Sequence, residues 1–520
     1  KTHAMEVFGF YPPLLQTVAH GIGGKSRIVF YPRKTLLLSS GNNFAIANQT
    51  GCAIVVKSGN TEDIDTHNYL DKIGSQRDNL SPSKLWFTLK NINLEIAMEE
   101  LSFLSTDQVH SVQQRFGTPA FVYDQRTLEN QAKKALAFPN AFGLTARYAM
   151  KACPAAGVVR ILNRAGLHID ASSGYEALRA IRSGVAADQI QITAQQLPDN
   201  LAELVNQGVL FNACSLHQLA AYGKLFPQSE VSIRVNPGLG SGHSNRTNVG
   251  GPSSSFGIWH EHLDQVVAIA SEYGLRITGL HSHIGSGSDP KVWQHCARLT
   301  LDVAARIPEV GRVSMGGGFK VGRMAGEAST DLHEAGRPVA TEFERFAQQH
   351  GRKLHLEIEP GTFFVANAGA LICSVIDKVD TGTEGHRFIK VDSGMTEVLR
   401  PSLYGAQHPI VVVPTDAAER QLGEFLVAGH CCESGDVLTP EPDNPEGLAA
   451  RTLIEPQLGD AVVIGGSGAY CAGMAAKNYN SFPEAPEVLL DRAGEVHLLR
   501  RRQTLDQLLA NEELPDFLGV

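Results

Sequence analysis

Lys151 is the residue whose type and position point most directly to chemistry. It closes the segment 146–151, Ala-Arg-Tyr-Ala-Met-Lys, which has the pattern of a short β-strand. A lysine amine at the carboxyl end of a strand can hold a cofactor aldehyde covalently, and we expect desolvation there to lower its pKa. A strand-end lysine that points into water is the alternative, and Lys151 considered alone does not exclude it.

Two motifs further along the chain suit the phosphate and the ring of such a cofactor. Gly316, Gly317 and Gly318 follow a strand-like run, and their lack of side chains lets backbone N–H groups approach a phosphate. Glu359, in Ile-Glu-Pro-Gly, offers a carboxylate that keeps a facing pyridine nitrogen protonated, which makes the ring a strong electron acceptor. A tight turn and a carboxylate that caps a loop are the structural alternatives.

Two histidines flank Ser282 at the end of another strand-like run. Residues two apart share one face of a regular strand, but His281 and His283 stand where this strand ends, so their rings can diverge. One of them can pack flat on an aromatic cofactor ring. A zinc pair is the other possibility, but the sequence offers no third ligand nearby, so we expect no metal.

The last third of the chain carries groups suited to an amino-acid substrate. Arg400 has the planar fork that binds a carboxylate, and Tyr404 follows four residues later. The Cys432 thiol can return a proton to carbon, and the adjacent Glu433 can hold an ammonium group, although a Cys-Cys step is often only interior packing. Tyr470 can bond to a phosphate or to the substrate.

The pattern of elements divides the chain into parts. Residues 1–104 show β-like runs at 26–31, 35–39 and 53–57 and a polar stretch at 59–83, without a chemical signature, and are interpreted as an extension of unknown role. Residues 105–124 precede the barrel pattern and contain a strand-like run at 120–124. Residues 125–370 alternate short strands with amphipathic helices, and residues 371–520 return to short strands typical of an antiparallel β domain.

Eight strand-then-helix units predict an α/β fold, a (β/α)₈ barrel, with a doubly wound open sheet as the alternative. The candidate strands are 147–151, 167–171, 191–194, 210–214, 231–236, 276–283, 312–316 and 353–359. The barrel is favoured because the motifs fall at the carboxyl ends of strands, where barrel enzymes keep their active sites.

Composition narrows the class of protein. The 520 residues are 43% hydrophobic and carry a net charge of −9, which argues against nucleic acid as the main partner. No run of apolar residues is long enough to predict a membrane span, and no secretory signal is recognised. The eight cysteines form no C-x-x-C pair, so we expect reduced thiols in a cytoplasmic enzyme.

Taken together and in this order, the motifs resemble those of the diaminopimelate decarboxylase family, in the alanine-racemase-like, fold-type III class of pyridoxal 5'-phosphate enzymes. The resemblance covers residues 118–480, and it implies a barrel and a β domain whose first strand comes from the segment 105–124. It is carried by Tyr-Ala-Met-Lys, His-Ser-His-Ile-Gly-Ser, Gly-Gly-Gly-Phe, Glu-Pro-Gly, Arg-Pro-Ser-Leu-Tyr, Cys-Glu-Ser-Gly-Asp and Gly-Ala-Tyr.

The resemblance implies a role for each matching residue. Lys151 holds the cofactor aldehyde, His283 stacks on its ring and Glu359 pairs with its pyridinium. The implied cofactor-binding set is Lys151, His283, Ser286, Gly316, Gly317, Gly318, Glu359, Gly361 and Tyr470. The implied catalytic residues are Lys151, His283 and Cys432, and the implied substrate-binding residues are Arg400, Tyr404, Glu433 and Tyr470.

The implied activity is a carboxy-lyase reaction that converts meso-2,6-diaminopimelate to L-lysine, the last step of lysine biosynthesis. The implied assembly is a homodimer with shared active sites, in which the partner subunit supplies the thiol and the acid of the Cys-Glu pair. The ligand is a small amino acid, with neither nucleic acid nor membrane as a partner.

Two departures from the family pattern bear on the substrate. The chain has Thr362 where the family has an arginine that contacts substrate, and Ser255 where a lysine is usual. Arg246 and Arg323 are the cations that can compensate. A fold-type III decarboxylase of another amino acid (carboxynorspermidine, a D-amino acid or a siderophore precursor) is therefore the closest alternative. A protein that binds pyridoxal phosphate without turnover and a barrel without the cofactor are the others.

Overall fold

The structure is a computed structural model that describes residues 99–238, 250–283 and 289–519, together with the backbone of four strands before residue 58. It divides into two compact units, Lys1–Ile96 and Ala97–Val520. The first unit contains a four-stranded antiparallel sheet of consecutive strands. These strands are β1 (Ile28–Phe30), β2 (Leu36–Ser40), β3 (Asn43–Ala47) and β4 (Ala53–Lys57). The polar stretch predicted at 59–83 lies outside the described residues.

A closed barrel of eight parallel strands dominates the second unit. It follows β5 (Ala120–Asp124), which belongs to another sheet. The barrel strands, with the two-residue strand β11 that extends the end of β10, are β6 (Leu144–Ala149), β7 (His168–Ala171), β8 (Ile190–Ile192), β9 (Leu210–Ala213), β10 (Glu230–Asn236), β11 (Ile258–Trp259), β12 (Arg276–His281), β13 (Arg312–Ser314) and β14 (His355–Ile358). The last strand pairs with the first, Ile358 opposite Ala146. The predicted barrel is therefore confirmed, and the open sheet is wrong because the strands close into a ring.

Several predicted barrel strands run two residues too far. The strands that carry Lys151, His283 and Gly316 end at Ala149, His281 and Ser314. Lys151 instead lies in a 3-10 turn, and Gly316 has a φ of 69°, which leaves the β region. The chemically interesting residues thus stand just beyond the strands, on the rim of the barrel.

Capped helices cover the barrel between its strands. Ser173 and Ser215 follow β7 and β9, and each accepts a hydrogen bond from the third backbone N–H of the next helix. The α-helices of the described ranges, which include some outside the barrel, are α1 (Thr106–Phe116), α2 (Gln125–Leu136), α3 (Ala156–Arg164), α4 (Gly174–Arg182), α5 (Leu201–Asn206), α6 (Leu216–Leu225), α7 (Leu263–Tyr273), α8 (Pro290–Arg306), α9 (Leu332–His350), α10 (Thr362–Val365), α11 (Arg400–Tyr404) and α12 (Leu505–Leu509). None of the helices in the described ranges combines the length and apolar character of a membrane-spanning helix.

A second, largely antiparallel sheet follows the barrel. Its strands are β15 (Gly369–Asp380), β16 (Arg387–Val391), β17 (Ile410–Val413), β18 (Leu422–Ala428), β21 (Arg451–Ile454), β22 (Ala461–Ile464), β23 (Glu487–Leu490) and β24 (Val496–Arg500), with β19 (Pro440–Glu441) and β20 (Asn444–Leu448) as a separate hairpin. The strand β5 lies inside this sheet, antiparallel to β15 and parallel to β23. All five of its residues are buried, because its two faces pack on different hydrophobic clusters. The numerical domain boundaries given above stay a prediction.

Candidate active site

Lys151 stands on the rim of the barrel in a turn that is tied to the end of β14. The backbone N–H of Ala149 donates to the Pro360 carbonyl at 3.1 Å. A Cβ on Gly361 would lie 3.2 Å from both the Ala149 carbonyl oxygen and the Ala152 Cβ, so a side chain there would press on the turn. The Lys151 side chain is enclosed by protein groups yet keeps solvent-accessible surface, because it lines the open mouth of the barrel.

The electrostatic surroundings of Lys151 differ from the expectation. Burial by itself lowers the pKa of Lys151, but Tyr470, Asp170 and Glu176 act in the opposite direction. The net result is a raised pKa of Lys151, so the predicted lowering is wrong, although desolvation does act in that direction. The ammonium form of Lys151 is therefore favoured by its surroundings.

The sequence reasoning missed these two acids. Asp170 lies on β7, and burial together with the nearby Glu359 raises the pKa of Asp170 to about 7. Its Oδ1 atom is buried and has no hydrogen-bond partner among the described residues. Glu176 on α4 accepts the Ser172 N–H at 2.7 Å. For Asp170 the only signal in the sequence was its position between Ile169 and Ala171 in a strand-like run.

Glu359 is the best-connected carboxylate of the barrel mouth. It accepts hydrogen bonds from His281 Nε2 at 2.7 Å and from Ser314 Oγ at 2.8 Å, and Gln191 Nε2 lies 3.3 Å away. Burial opposes ionisation, but His281, Ser314 and the positive charge of Arg147 outweigh it and lower the pKa of Glu359 to about 2. A fixed negative charge therefore stands at the centre of the barrel's carboxyl-terminal face.

The two histidines of the His-Ser-His motif do different things. His281 bonds to Glu359, whereas His283 packs against the glycine run, with its Nδ1 buried and unpaired within the described ranges. Burial and the charges of Arg234 and Lys151 hold the pKa of His283 well below its usual value, so the ring is neutral. The described residues contain no cluster of three or more His, Cys, Asp or Glu side chains that could hold a metal ion, so nothing in them supports the zinc pair. Ser286 lies outside the described residues.

The three glycines bring backbone close to both His283 and Glu359. A Cβ on Gly316 would lie 2.7 Å from the His283 Cβ, and one on Gly317 would lie 2.4 Å from the Glu359 carbonyl oxygen. Gly316 and Gly318 have φ values of 69° and 102°, which disfavour other residues. The run therefore passes directly over the end of β14, where no side chain would fit.

Tyr470 reaches the barrel mouth from the β domain of the same chain. Its backbone N–H donates to the Ala152 carbonyl at 2.8 Å, one residue from Lys151. It has a φ of 56°, a conformation that few residues other than glycine adopt. The structure thus brings Tyr470 and Lys151 together, as expected.

Arg400 and Tyr404 lie on one short helix, α11. Arg400 occupies its first position, and the guanidinium carbon lies 6.0 Å from the centre of the Tyr404 ring. Its Nε atom is buried and has no partner within the part of the chain that is described. The charge of Arg400 also acts on the thiol of Cys471, the neighbour of Tyr470, so the arginine lies near Tyr470.

Cys432 and Glu433 lie on an exposed loop that a buried carboxylate organises. Asp436 accepts the N–H groups of Met395 at 2.7 Å and Cys431 at 2.9 Å, and Asn480 Oδ1 accepts the Cys432 N–H at 2.8 Å. In the described ranges no hydrogen bond or ion pair joins Cys432 or Glu433 to the barrel mouth. The described structure thus shows no contact of Cys432 or Glu433 with the groups around Lys151.

The groups around Lys151 fit pyridoxal phosphate. The cavity offers an amine for the aldehyde, a fixed carboxylate for the ring nitrogen and a neutral imidazole for the ring face. Two polar atoms, Asp170 Oδ1 and His283 Nδ1, are buried there without partners in the described structure, which is what a site built around a polar ligand leaves in its absence.

Comparisons with known proteins agree with this fit. The family model described as pyridoxal-dependent decarboxylase, pyridoxal binding domain, matches residues 127–366. The diaminopimelate decarboxylase of Streptomyces coelicolor is 37% identical over 77% of this chain and 90% of its own length. That of Escherichia coli K12 is 35% identical over 79% of this chain and 97% of its own length. A crystal structure of a diaminopimelate decarboxylase superposes with a TM-score of 0.73 at 33% identity, covering 78% of this chain and 96% of that one.

The barrel and the matched domain thus define the class as that of pyridoxal-dependent decarboxylases, and both the predicted class and the predicted cofactor are confirmed. Within that class, the chain belongs to the diaminopimelate decarboxylase family.

Proposed function

We propose that this protein releases carbon dioxide from meso-2,6-diaminopimelate and forms L-lysine. The observation that carries the proposal is the position of Tyr470: its backbone N–H bonds to Ala152, beside the Lys151 amine, while the Arg400 guanidinium, a group suited to a carboxylate, acts on the adjacent Cys471. The similarity to diaminopimelate decarboxylases over most of the chain supports it.

The residues of the barrel mouth would prepare the reacting end. When bound, pyridoxal phosphate supplies an electron-poor ring that accepts the electrons released as carbon dioxide leaves. Lys151 would hold the aldehyde carbon, and the ionised Glu359 would stabilise a proton on the facing ring nitrogen. The uncharged His283 would cover one face of the ring. The glycine run, Gly361, Ser286 and Tyr470 would hold the phosphate.

The other end would recognise the substrate. Arg400 would bind the distal carboxylate through its fork, and Tyr404 would line the same subsite. Cys432 and Glu433, which make no hydrogen bond or ion pair with the barrel mouth in the described residues, would come from the partner subunit of a homodimer. Cys432 would return the proton to the carbon that lost the carboxylate, and Glu433 would hold the distal ammonium group. We expect this enzyme to work in the cytoplasm.

The first test is a spectrum of the purified protein with the cofactor. We expect an absorption band at about 420 nm, which borohydride removes while fixing the label on Lys151, and Lys151→Ala should show neither effect. A band of the same strength in Lys151→Ala would contradict the assignment of the lysine.

The second test measures product formation with a panel of amino acids. Meso-diaminopimelate should yield equal amounts of carbon dioxide and L-lysine. Thr362 favours the second candidate, a decarboxylase of the same fold type with another substrate. Turnover of a different amino acid while meso-diaminopimelate stays inert would establish that candidate instead.

A further inference from the structure

Three basic side chains meet beside Tyr470 and form what we term the cationic pocket: Arg323, Arg400 and His408. The charges of Arg323 and Arg400 act on each other and on the buried Cys471 thiol. His408 adds no charge, because burial and the two arginines hold its pKa well below the usual value, and its Nδ1–H donates to the Gly465 carbonyl at 2.9 Å.

Several hydrogen-bonding atoms of the cationic pocket have no partner in the described residues. Arg323 Nε donates to the Gly466 carbonyl at 3.0 Å, but its Nη2 atom is buried without a partner in the described structure. The buried Nε of Arg400 and Nε2 of His408 are likewise unpaired there. Buried guanidinium groups left in this state destabilise a protein unless an acceptor joins them.

The fold directs Arg323 into the pocket. The turn that carries it is fixed by Glu327, which accepts the N–H groups of Arg323 at 2.8 Å and Met324 at 3.2 Å. Asn367 Nδ2 donates to the Gly322 carbonyl at 2.9 Å, which ties the same turn to the barrel. A Cβ on Gly466 would lie 2.9 Å from the Arg323 Cδ, so a glycine is needed for the arginine stem to pass.

No carboxylate within the described ranges forms a salt bridge with Arg323 or Arg400. Burial and the charge of Arg400 together lower the pKa of Arg323 to about 9, and Cys471, Glu327 and Tyr470 only partly offset them. Two neighbouring cations without an anion destabilise a fold. They suit an anionic ligand, because a carboxylate could accept hydrogen bonds from both guanidinium groups.

We infer that Arg323 and Arg400 together bind the distal carboxylate of the substrate, with Arg323 supplying the cation that Thr362 does not provide. This inference rests on the proposed function. The chemistry it requires is a carboxylate at the end of the substrate away from the carbon that reacts. The cofactor phosphate is the other anion that could reach a guanidinium in this cavity. Arg323 and Arg400 each keep a buried nitrogen without a partner in the described residues, and Arg400 shares its helix with Tyr404, so we assign the substrate carboxylate to this pocket.

Steady-state kinetics of the holoenzyme test the inference. Arg323→Met keeps the apolar stem beside Gly466 and removes the fork, so KM for meso-diaminopimelate should rise about 10- to 100-fold, with unchanged affinity for pyridoxal phosphate. Arg323→Lys should recover part of the loss. Arg337→Met, on the exposed face of α9, is the matched control and should leave KM unchanged.

A binding measurement separates the carboxylate from the rest of the ligand. L-lysine keeps the distal carboxylate and cadaverine lacks it, so Arg323→Met should weaken the binding of L-lysine and leave that of cadaverine unaltered. Adding Thr362→Arg to Arg323→Met should restore the affinity for L-lysine if both positions serve one subsite.

The possible failures are distinguishable. If the wild-type protein does not decarboxylate meso-diaminopimelate, the proposed function falls and the inference falls with it. If the wild type is active but Arg323→Met keeps KM and L-lysine affinity within about twofold, only the inference is overturned. Weaker binding of pyridoxal phosphate with unchanged L-lysine affinity would also overturn it, since Arg323 would then serve the phosphate.

Discussion

At the scale of single residues, Glu359 shows how a barrel interior fixes one charge. Two carboxylates, Glu357 and Glu359, point inward from the end of β14 two residues apart, and each has different partners. Glu357 pairs with Arg147 at 3.1 Å, deeper in the barrel, whereas Glu359 is surrounded by hydroxyl and imidazole donors at the rim. Similar carboxylates therefore support different functions, one structural and one electrostatic.

Glu359→Gln should lower kcat by about 10²- to 10³-fold, because it removes the negative charge that would face the cofactor ring. The melting temperature should also fall, because the amide lacks the charge that pairs with His281, so kcat is measured at a temperature at which the variant is folded. Glu357→Gln is the matched control on the same strand. It should keep kcat but lower the stability by about 3 kcal/mol, because Arg147 stays buried without its partner. Equal effects of both substitutions on kcat would contradict the separate roles.

The sequence predicted the residues of the site better than their surroundings. Lys151, Glu359 and Tyr470 stand in motifs whose order resembles that of the family, so the sequence singled them out, and their roles stay a prediction. Asp170 could not be predicted in the same way, because its influence on Lys151 depends on two adjacent strands and on the absence of a hydrogen-bond partner. Arg323 was recognisable only as one of two possible cations, since its orientation depends on Gly466, far away in the chain.

At the scale of elements, the turn after β13 fixes the position of His283. Gly316→Ala would place a methyl group 2.7 Å from the His283 Cβ at a φ of 69°. We expect a loss of about 2–4 kcal/mol in stability and weaker binding of pyridoxal phosphate. Gly311→Ala, just before the same strand, meets no atom within 4 Å and is the control for a lost glycine. Normal cofactor affinity in Gly316→Ala would show that the turn tolerates the shift.

A second element with a measurable signature is the segment that supports the Cys432 loop. Glu397 accepts Ser393 Oγ at 2.9 Å and Thr396 Oγ1 at 2.6 Å, and Thr396 Oγ1 lies 2.7 Å from His430 Nε2. Burial raises the pKa of Glu397 to about 7, even though these hydroxyls lower it. The protonated form is thus favoured in the folded state.

The pH dependence of stability should report this group. Since the pKa of Glu397 is higher in the folded chain than in the unfolded one, stability falls as pH rises from about 4.5 to about 7, and the loss amounts to a few kcal/mol. Glu397→Gln should reduce the difference in free energy of unfolding between pH 5 and pH 8, measured with urea. The exposed Glu419→Gln should not. An unchanged difference in Glu397→Gln would show that other acids cause it.

At the scale of the whole molecule, mixing two inactive chains can test whether Cys432 of one chain completes the active site at Lys151 of the other. Lys151→Ala and Cys432→Ala should each be nearly inactive alone. If sites are shared, a randomly assembled mixture should regain about a quarter of the wild-type activity, because half of the dimers then hold one intact site of two. Sites complete within one chain would give no recovery, which would contradict the shared arrangement.

The fold as a whole followed from the sequence more readily than its details. Alternating strands and helices predicted the barrel, because each unit is a local pattern. The short helix α11, with Arg400 and Tyr404, was not predicted, since Pro401 and Gly405 leave it too brief to show a period. Strand ends were also misplaced, because a 3-10 turn and a left-handed glycine look like strand continuations in the sequence.

The position of β5 has a consequence for how the chain is made. Its neighbours, β15 and β23, lie after the entire barrel in the sequence, so a ribosome finishes the barrel while this strand still awaits both partners. Meanwhile Phe121 and Val122 offer an uncovered edge to any other nascent polypeptide. A chaperone that shields this edge until β15 and β23 have been made should raise the yield of correctly assembled protein.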